Sequence, residues 1–366
     1  MYVKNLTLKN FRNYDFLDIN FIKGTNILLG DNAQGKTNIL EALYYASIGK
    51  SHRTNKDKEL IKWNSEDAYL KVNVGKTRRD KKIEIKIFKE GKKGININSI
   101  KINKLSELIG TLNVVMFSPE DLNIVKDSPS YRRKFLDIEL CKLDSKYYYN
   151  LSSYKKILSE RNILLKKSKI NSNIFSMIDI YDNQLSEFGE YVIKKRLQYI
   201  EKLNIKGKSI HKDITSSKEN VEFKYLMNLK GDEIKKEFYE ELVKNREKDL
   251  ERRTTTIGPH RDDFTILING ADVKTYGSQG QQRTVVLSMK FASLHIIKDL
   301  TGEYPLLLLD DVLSELDLTR QKYILNSIND VQTLITCTGI NNIKKYLNDE
   351  NTLKVFKVSN GKIIKG

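Results

Sequence analysis

Residues 25–37 read Thr-Asn-Ile-Leu-Leu-Gly-Asp-Asn-Ala-Gln-Gly-Lys-Thr, an apolar run that ends in Gly-x4-Gly-Lys-Thr. This pattern constrains the fold more than any other stretch. It requires a strand, a phosphate-binding loop and a helix in immediate succession. Gly30 and Gly35 permit backbone conformations in which amide N–H groups converge on phosphate oxygens. The loop between them, Asp31, Asn32, Ala33 and Gln34, supplies those amides, with Asn38 just beyond. Lys36 is placed to reach the β- and γ-phosphates, and the Thr37 hydroxyl to ligate magnesium. Ile39, Leu40, Leu43 and Tyr44 then follow one helical face, which aims a helix N-terminus at the phosphates. The expected ligand is a nucleoside triphosphate with Mg2+.

The chain has 366 residues, enough for two or three domains with a substantial core. No window approaches 18 uninterrupted apolar residues, so no membrane span is expected, and the N-terminus lacks the apolar core of a signal peptide. Two cysteines, Cys141 and Cys337, and four scattered histidines suggest neither a disulfide framework nor a zinc site. A reducing cytoplasm is the expected setting. Lys and Arg number 64 against 47 Asp and Glu, a net charge of +17 that points to a polyanionic partner, nucleic acid before membrane.

Residues 1–24 alternate as two strands with a turn at Asn10-Phe11-Arg12-Asn13, and residues 68–102 as an antiparallel sheet with one wet face. Val114 to Phe117 forms a short apolar strand. From about 122 the pattern becomes helical, with apolar residues at helical spacing over 131–166 and 182–202, a loop expected at Asn171–Asn173, a strand at 221–226 and a helix over 232–250. Tyr147, Tyr148 and Tyr149 are read as helix packing before base stacking. Alternation returns near 263, with Asn269-Gly270 as a hairpin turn. A helix over about 280–300 then leads to the buried strand Leu-Leu-Leu-Leu-Asp-Asp at 306–311, a further helix and a strand near 332–338.

Those four leucines and two aspartates form the second half of the nucleotide site. A buried strand delivers Asp310 to the magnesium shell, and Asp311 is placed to polarise the attacking water. Tyr-Gly-Ser-Gln-Gly-Gln-Gln-Arg at 276–283 opens a helix some thirty residues earlier. It resembles the Leu-Ser-Gly-Gly-Gln signature of ABC-type ATPases, a second phosphate cradle at a helix N-terminus. Ser-Glu-Leu-Asp at 314–317 resembles the D-loop of the same class.

Beyond these motifs the chain resembles the RecF family of SMC/ABC-class ATPases over nearly its whole length. The resemblance is carried by Leu-Lys-Asn-Phe-Arg-Asn-Tyr (8–14), Lys-Ser-His-Arg-Thr (50–54), Phe-Ser-Pro-Glu-Asp-Leu (117–122) and Ser-Pro-Ser-Tyr-Arg-Arg (128–133) with Phe-Leu-Asp (135–137). It continues through Thr-Ile-Gly-Pro-His-Arg-Asp-Asp (256–263). It implies an α/β fold: an ABC/SMC-type P-loop ATPase head of mixed sheets and helices, with an inserted, mainly helical arm. The head takes 1–122 and 251–366, and the arm 123–250. It further implies an ATP-bound homodimer in which Ser278, Gly280, Gln281 and Asp317 of one copy approach the nucleotide of the other. Lys36 and Asp311 would serve catalysis, Thr37 and Asp310 the metal, and Arg53 would link DNA contact to hydrolysis. Double-stranded DNA near single-strand junctions, RecR and RecO are the implied partners, and RecA loading at gaps the output. A transporter ATPase subunit and a nucleotide-binding scaffold are the competing readings. Two departures suggest slow turnover: Asp311 stands where glutamate is usual, and no switch histidine follows in Thr-Cys-Thr-Gly (336–339).

Overall fold

The computed structural model describes residues 1–167, 173–229, 231, 233–339 and 353–364. Its contacts divide the chain into two units: Met1–Asp121 with Asp213–Ser216 and Leu287–Gly366, and Leu122–Lys212 with Ser217–Val286.

The first unit opens with strands β1 (Tyr2–Phe11) and β2 (Tyr14–Asn20), joined by a tight turn in which Asn10 and Arg12 take positive φ. Strand β3 (Thr25–Leu29) leads through the phosphate loop to helix α1 (Lys36–Ile48). Strands β4 (Asp67–Gly75), β5 (Lys81–Phe88), β6 (Lys93–Ile97) and β7 (Ile100–Lys101) follow, then β8 (Val114–Phe117). The two alternating regions form one antiparallel sheet, ordered β2-β1-β4-β5-β6-β7. The pairing of β1 with β4 joins them, Leu6 lying opposite Val72 and Leu8 opposite Leu70. These inward residues are fully buried, as alternation demands of a sheet with one wet face.

The second unit contains helices α2 (Asn123–Lys126), α3 (Pro129–Leu143), α4 (Ser145–Lys167) and most of the 43-residue α5 (Asn173–Thr215). Asn173 opens α5; the rest of the loop expected at Asn171–Asn173 lies outside the described residues. Strand β9 (Val221–Leu226) precedes helices α6 (Ile234–Lys244) and α7 (Arg246–Arg252). The single helix read over 232–250 is thus divided at Asn245, whose φ of −94° and ψ of 7° leave helical geometry. Strand β10 (Asp263–Ile268) pairs antiparallel with β9 and with the short β11 (Ala271–Asp272). Asn269 and Gly270 both take positive φ, the geometry a two-residue hairpin turn needs. This pairing brings 251–286 into the unit that holds the helices. One turn, α8 (Val273–Tyr276), precedes helix α9 (Gln279–Thr301). Of the three tyrosines, Tyr147 is buried and donates its hydroxyl to Asp137, while Tyr149 is 62% exposed with its ring against Phe188.

The last part of the chain returns to the first unit with β12 (Leu306–Leu309), α10 (Leu318–Ser327), β13 (Thr333–Cys337), β14 (Leu353–Ser359) and β15 (Lys362–Ile364). They form a second sheet, ordered β15-β14-β3-β13-β12-β8, parallel except at the β14–β15 hairpin. The four leucines of β12 are fully buried between β8 and β13. A parallel strand covered on both faces reads as a continuous apolar run, which is what this sequence shows.

Helix α1 departs from the one-faced helix predicted. It contacts β4 and β5 of the antiparallel sheet and also β8 and β13 of the parallel sheet. Residues 39–47 are consequently all buried, Glu41 among them. A helix covered by two sheets has no solvent side on which to leave a carboxylate.

Candidate nucleotide site

The phosphate loop begins where β3 ends, at the carboxyl edge of the parallel sheet. Gly30 donates its N–H to the Cys337 carbonyl at 3.2 Å. A Cβ at Gly30 would lie 2.2 Å from the Val358 carbonyl oxygen, so the position excludes any side chain. Ala33 and Gly35 take φ of 64° and 110°. The glycine requirement at 35 has a second cause, because a Cβ there would meet the Asn13 side chain at 2.6 Å. Lys36 is buried, and its ammonium donates to the carbonyls of Gly30 and Asp31 at 2.6 and 3.0 Å. The cation thereby spans the mouth of the loop.

Thr37 and Asp310, 273 residues apart, meet directly: the hydroxyl donates to the carboxylate at 2.9 Å. A hydroxyl and a carboxylate oxygen side by side are the hard donors magnesium takes, the remaining positions going to phosphate and water. Among the described residues no three His, Cys, Asp or Glu side chains gather as a metal cluster. Burial raises the Asp310 carboxyl above its ordinary range. The neighbouring Asp311 charge adds to that, and the hydrogen bonds from Thr37 and Thr336 oppose it. A cation at this point would restore the ionised form.

Thr336 ties the two aspartates together. Its hydroxyl donates to Asp310 at 3.0 Å and accepts from the Asp311 N–H at 2.8 Å. Asp311 itself takes a left-handed backbone conformation, φ 51° and ψ 15°. The sequence drew attention to this segment only for the histidine it lacks, and the threonine's role emerges from the adjacency of β12 and β13.

The loop is braced from outside by residues that the motif does not contain. The tip of the β1–β2 hairpin supplies three in a row. Arg12 makes a two-pronged ion pair with Glu41 at 2.8 and 2.7 Å. Asn13 donates to the Gln34 carbonyl at 3.1 Å, and the Tyr14 hydroxyl to the Gly35 carbonyl at 3.1 Å. From the other side, Gly361 N–H reaches the Gln34 carbonyl at 3.1 Å and Asn360 N–H its side-chain oxygen at 2.6 Å. Arg53 donates to Asn38 at 3.1 Å and lies 3.6 Å from Glu41, while Asn38 donates to Asn13 at 2.8 Å. The 8–14 motif was visible in the sequence, but its partners were not. Burial pushes the neighbouring His52 down to about 4, leaving it neutral; its ring packs edge-on to Tyr44 at 5.3 Å. The Pro119-Glu-Asp segment, without a glutamine, holds Asp121 against the Lys290 ammonium at 2.6 Å.

Asp317 accepts from the Arg320 N–H at 2.9 Å and caps α10. Ser278, Gly280 and Gln281 belong to the second unit. Ser278 and Gln281 form a reciprocal cap on α9, each side chain accepting the other's backbone N–H, at 2.9 and 3.2 Å. Gln281 also donates to Glu219 at 2.9 Å, which in turn faces His211 at 3.1 Å. Ser278 stays exposed at the helix start.

His260 and Arg261 are placed within the second unit. The His260 Nε2 lies 3.1 Å from the Thr255 carbonyl, which can only accept, so that nitrogen carries the proton. Nδ1 then accepts from the Tyr154 hydroxyl at 2.6 Å. Burial lowers this imidazole to about 4. Arg261 donates to the same carbonyl. Around them five residues of the 255–263 segment are bonded to helices or strands of the unit. Arg161 bonds Thr255, Asp249 bonds Thr256, Arg196 bonds the Pro259 carbonyl, Tyr225 bonds Asp262 and Arg132 bonds Asp263. These bonds tie the segment to the helices and strands of the second unit.

Comparison with known proteins places this geometry. The sequence profile described as RecF/RecN/SMC N terminal domain matches residues 2–364. A DNA replication and repair protein RecF of Clostridium novyi is 62% identical over 364 residues, 99% of each chain. A solved structure of the recombination mediator protein RecF with ATPrS, described as part of the RecFOR pathway, is 39% identical. It aligns with a TM-score of 0.89 over 99% of this chain and 97% of its own. An Smc head domain from Pyrococcus furiosus shares the fold at 16% identity and TM-score 0.56, covering 99% and 96%. With a family profile and a full-length relative both spanning the two units, the chain belongs to the RecF family and has the ABC/SMC-type ATPase fold.

Proposed function

We propose that the protein is an ATP-gated DNA clamp acting in DNA repair and recombination. The observation that carries this reading is the Lys36–Thr37–Asp310–Asp311 constellation, assembled at one sheet edge in a chain whose relatives are named as replication and repair proteins. The loop amides and Lys36 would bind the triphosphate, and Thr37 and Asp310 would hold Mg2+. The ion, when bound, would offset charge on the phosphate oxygens. Asp311, with its backbone pinned by Thr336, would orient the attacking water. Ser278, Gly280 and Gln281, with Asp317, would complete the site from a second copy, so that ATP closes a homodimer. The net charge of +17 supports a DNA partner. Double-stranded DNA near single-strand junctions is the proposed substrate, with RecO and RecR as partners and RecA loading as the output. Turnover is proposed to be slow and stimulated by DNA, since Asp311 is shorter than glutamate.

Sedimentation of the purified protein with gapped duplex DNA tests this, without nucleotide and with ATP and Mg2+, at two salt concentrations. A dimer on DNA that requires ATP and weakens with salt is expected. A monomer indifferent to ATP would refute the clamp.

A further inference from the structure

The loop between β4 and β5 reads Lys-Thr-Arg-Arg-Asp over 76–80, and Lys81 follows it. It is held firmly at its base. Thr77 gives both its N–H and its hydroxyl to Glu303, at 2.6 and 2.7 Å. Asp80 pairs with Lys4 and accepts from the Lys76 N–H, and the Lys76 ammonium donates to the Gly110 carbonyl at 2.6 Å. Asp80 and Glu303 are thus spent on anchoring. Arg78 and Arg79 are exposed, and among the described residues no carboxylate pairs with them or with Lys81. Further cations surround the loop. Lys23 lies over the Tyr2 ring at 4.7 Å, and Lys4 over the same ring at 5.8 Å. Lys23, Lys76 and Lys298 all act on the Met1 amine. No described ion pair neutralises Lys23 or Lys298.

The patch sits at the amino ends of the parallel strands, since Lys23 precedes β3 and Glu303 precedes β12. The phosphate loop sits at their carboxyl ends. The five-residue strand Thr25–Leu29 lies between Lys23 and Gly30, roughly 17 Å at the rise of a strand. A surface that strongly basic and remote from the nucleotide has the chemistry of a polyanion contact, and two arginines suit phosphate oxygens in particular.

We propose that Arg78, Arg79 and Lys81 form a phosphate-backbone contact for duplex DNA that works without nucleotide. It rests on the DNA-binding part of the function proposed above and is independent of ATP-driven closure. A loop anchored at Thr77 and Asp80 has less backbone entropy to lose on binding, and each neutralised phosphate releases counterions.

The test is fluorescence anisotropy of a labelled blunt duplex with the full chain, nucleotide-free, between 50 and 200 mM KCl. The triple substitution Arg78→Gln, Arg79→Gln, Lys81→Gln should weaken binding about tenfold or more. The slope of log K against log salt should shrink by about 2.7, three contacts at roughly 0.9 each. Arg78→Lys with Arg79→Lys should keep the slope, which separates lost charge from lost structure. Thr77 and Glu303 are untouched, and an unchanged circular dichroism melt verifies folding. ATP-driven dimerisation without DNA should survive in the triple variant. Failure of the wild type to dimerise with ATP would sink the clamp and leave this contact standing. Unchanged duplex affinity and slope in the triple variant would overturn the contact. So would a loss confined to anionic vesicles of phosphatidylglycerol, with DNA binding intact.

Discussion

Glu41→Gln is the sharpest probe of how the phosphate loop is held. The carboxylate is fully buried and accepts two charge-assisted bonds from Arg12 at 2.8 and 2.7 Å, with Ser51 and Arg53 beside it. Glutamine preserves the shape but removes the charge and turns an N–H donor toward the guanidinium. Removing one partner of a buried pair costs roughly 3–5 kcal/mol. Here Arg12 keeps 20% and Arg53 42% of its side-chain exposure, so water recovers part of that loss. We expect about 2–3 kcal/mol. At about 2–4 °C per kcal/mol this lowers the melting temperature of the first unit by roughly 5–10 °C. The pH dependence gives an independent check. Burial works to raise the Glu41 carboxyl, but Arg12, Ser51 and Arg53 outweigh it and hold it below its ordinary 4.5. Its contribution is therefore complete above that value and is lost as pH falls through the lowered folded value. Circular dichroism melts at pH 7 should separate wild type and variant, and the gap should narrow as pH is lowered below 4.5. Equal melting temperatures at pH 7 would refute the reasoning. So would additive costs of Glu41→Gln and Arg12→Ala in the double variant, since residues in contact must couple.

Three further outcomes follow from the geometry. Gly30→Ala sets a methyl against the Val358 carbonyl at 2.2 Å, so calorimetric titration should find ATP binding weakened at least tenfold in a chain that still folds. Ser278→Arg should bind ATP as a monomer but not dimerise in sedimentation, because only the cradle offered to a second copy is changed. His260 is neutral in the fold at about 4 against an ordinary 6.5, so the unfolded chain takes up a proton that the folded one refuses. Stability should fall between pH 6.5 and 4 by up to about 3 kcal/mol from this group, and urea titrations of His260→Gln should show a flatter profile there.

The local chemistry of the site was legible in the chain. Gly30, Gly35, Lys36 and Thr37 carry their spacing in eight consecutive residues, and the four leucines before Asp310 announce a strand buried on both faces. Such signals are read in one dimension because the backbone itself connects the parts. The alternation of 1–24 likewise showed two strands, and that of 68–102 a sheet with one wet face. That the two regions form one sheet was decided by the pairing of β1 with β4, which no local pattern encodes. Burial was misjudged on α1 for the same reason. Its sequence shows one apolar face, yet two sheets cover it, and the forced burial of Glu41 is what calls Arg12 and Ser51 to its side.

By itself, then, the sequence determined the glycine-rich loop from Gly30 to Thr37, the carboxylate pair and the two textures of the chain, because each depends on neighbours along the backbone. Tertiary structure alone decided that Thr37 meets Asp310 across 273 residues, that Thr336 couples the two aspartates, and that hairpin tips from both ends of the chain grip Gln34. Hydrogen bonds between distant segments depend on which strands lie side by side, and that choice belongs to the packing of the whole core.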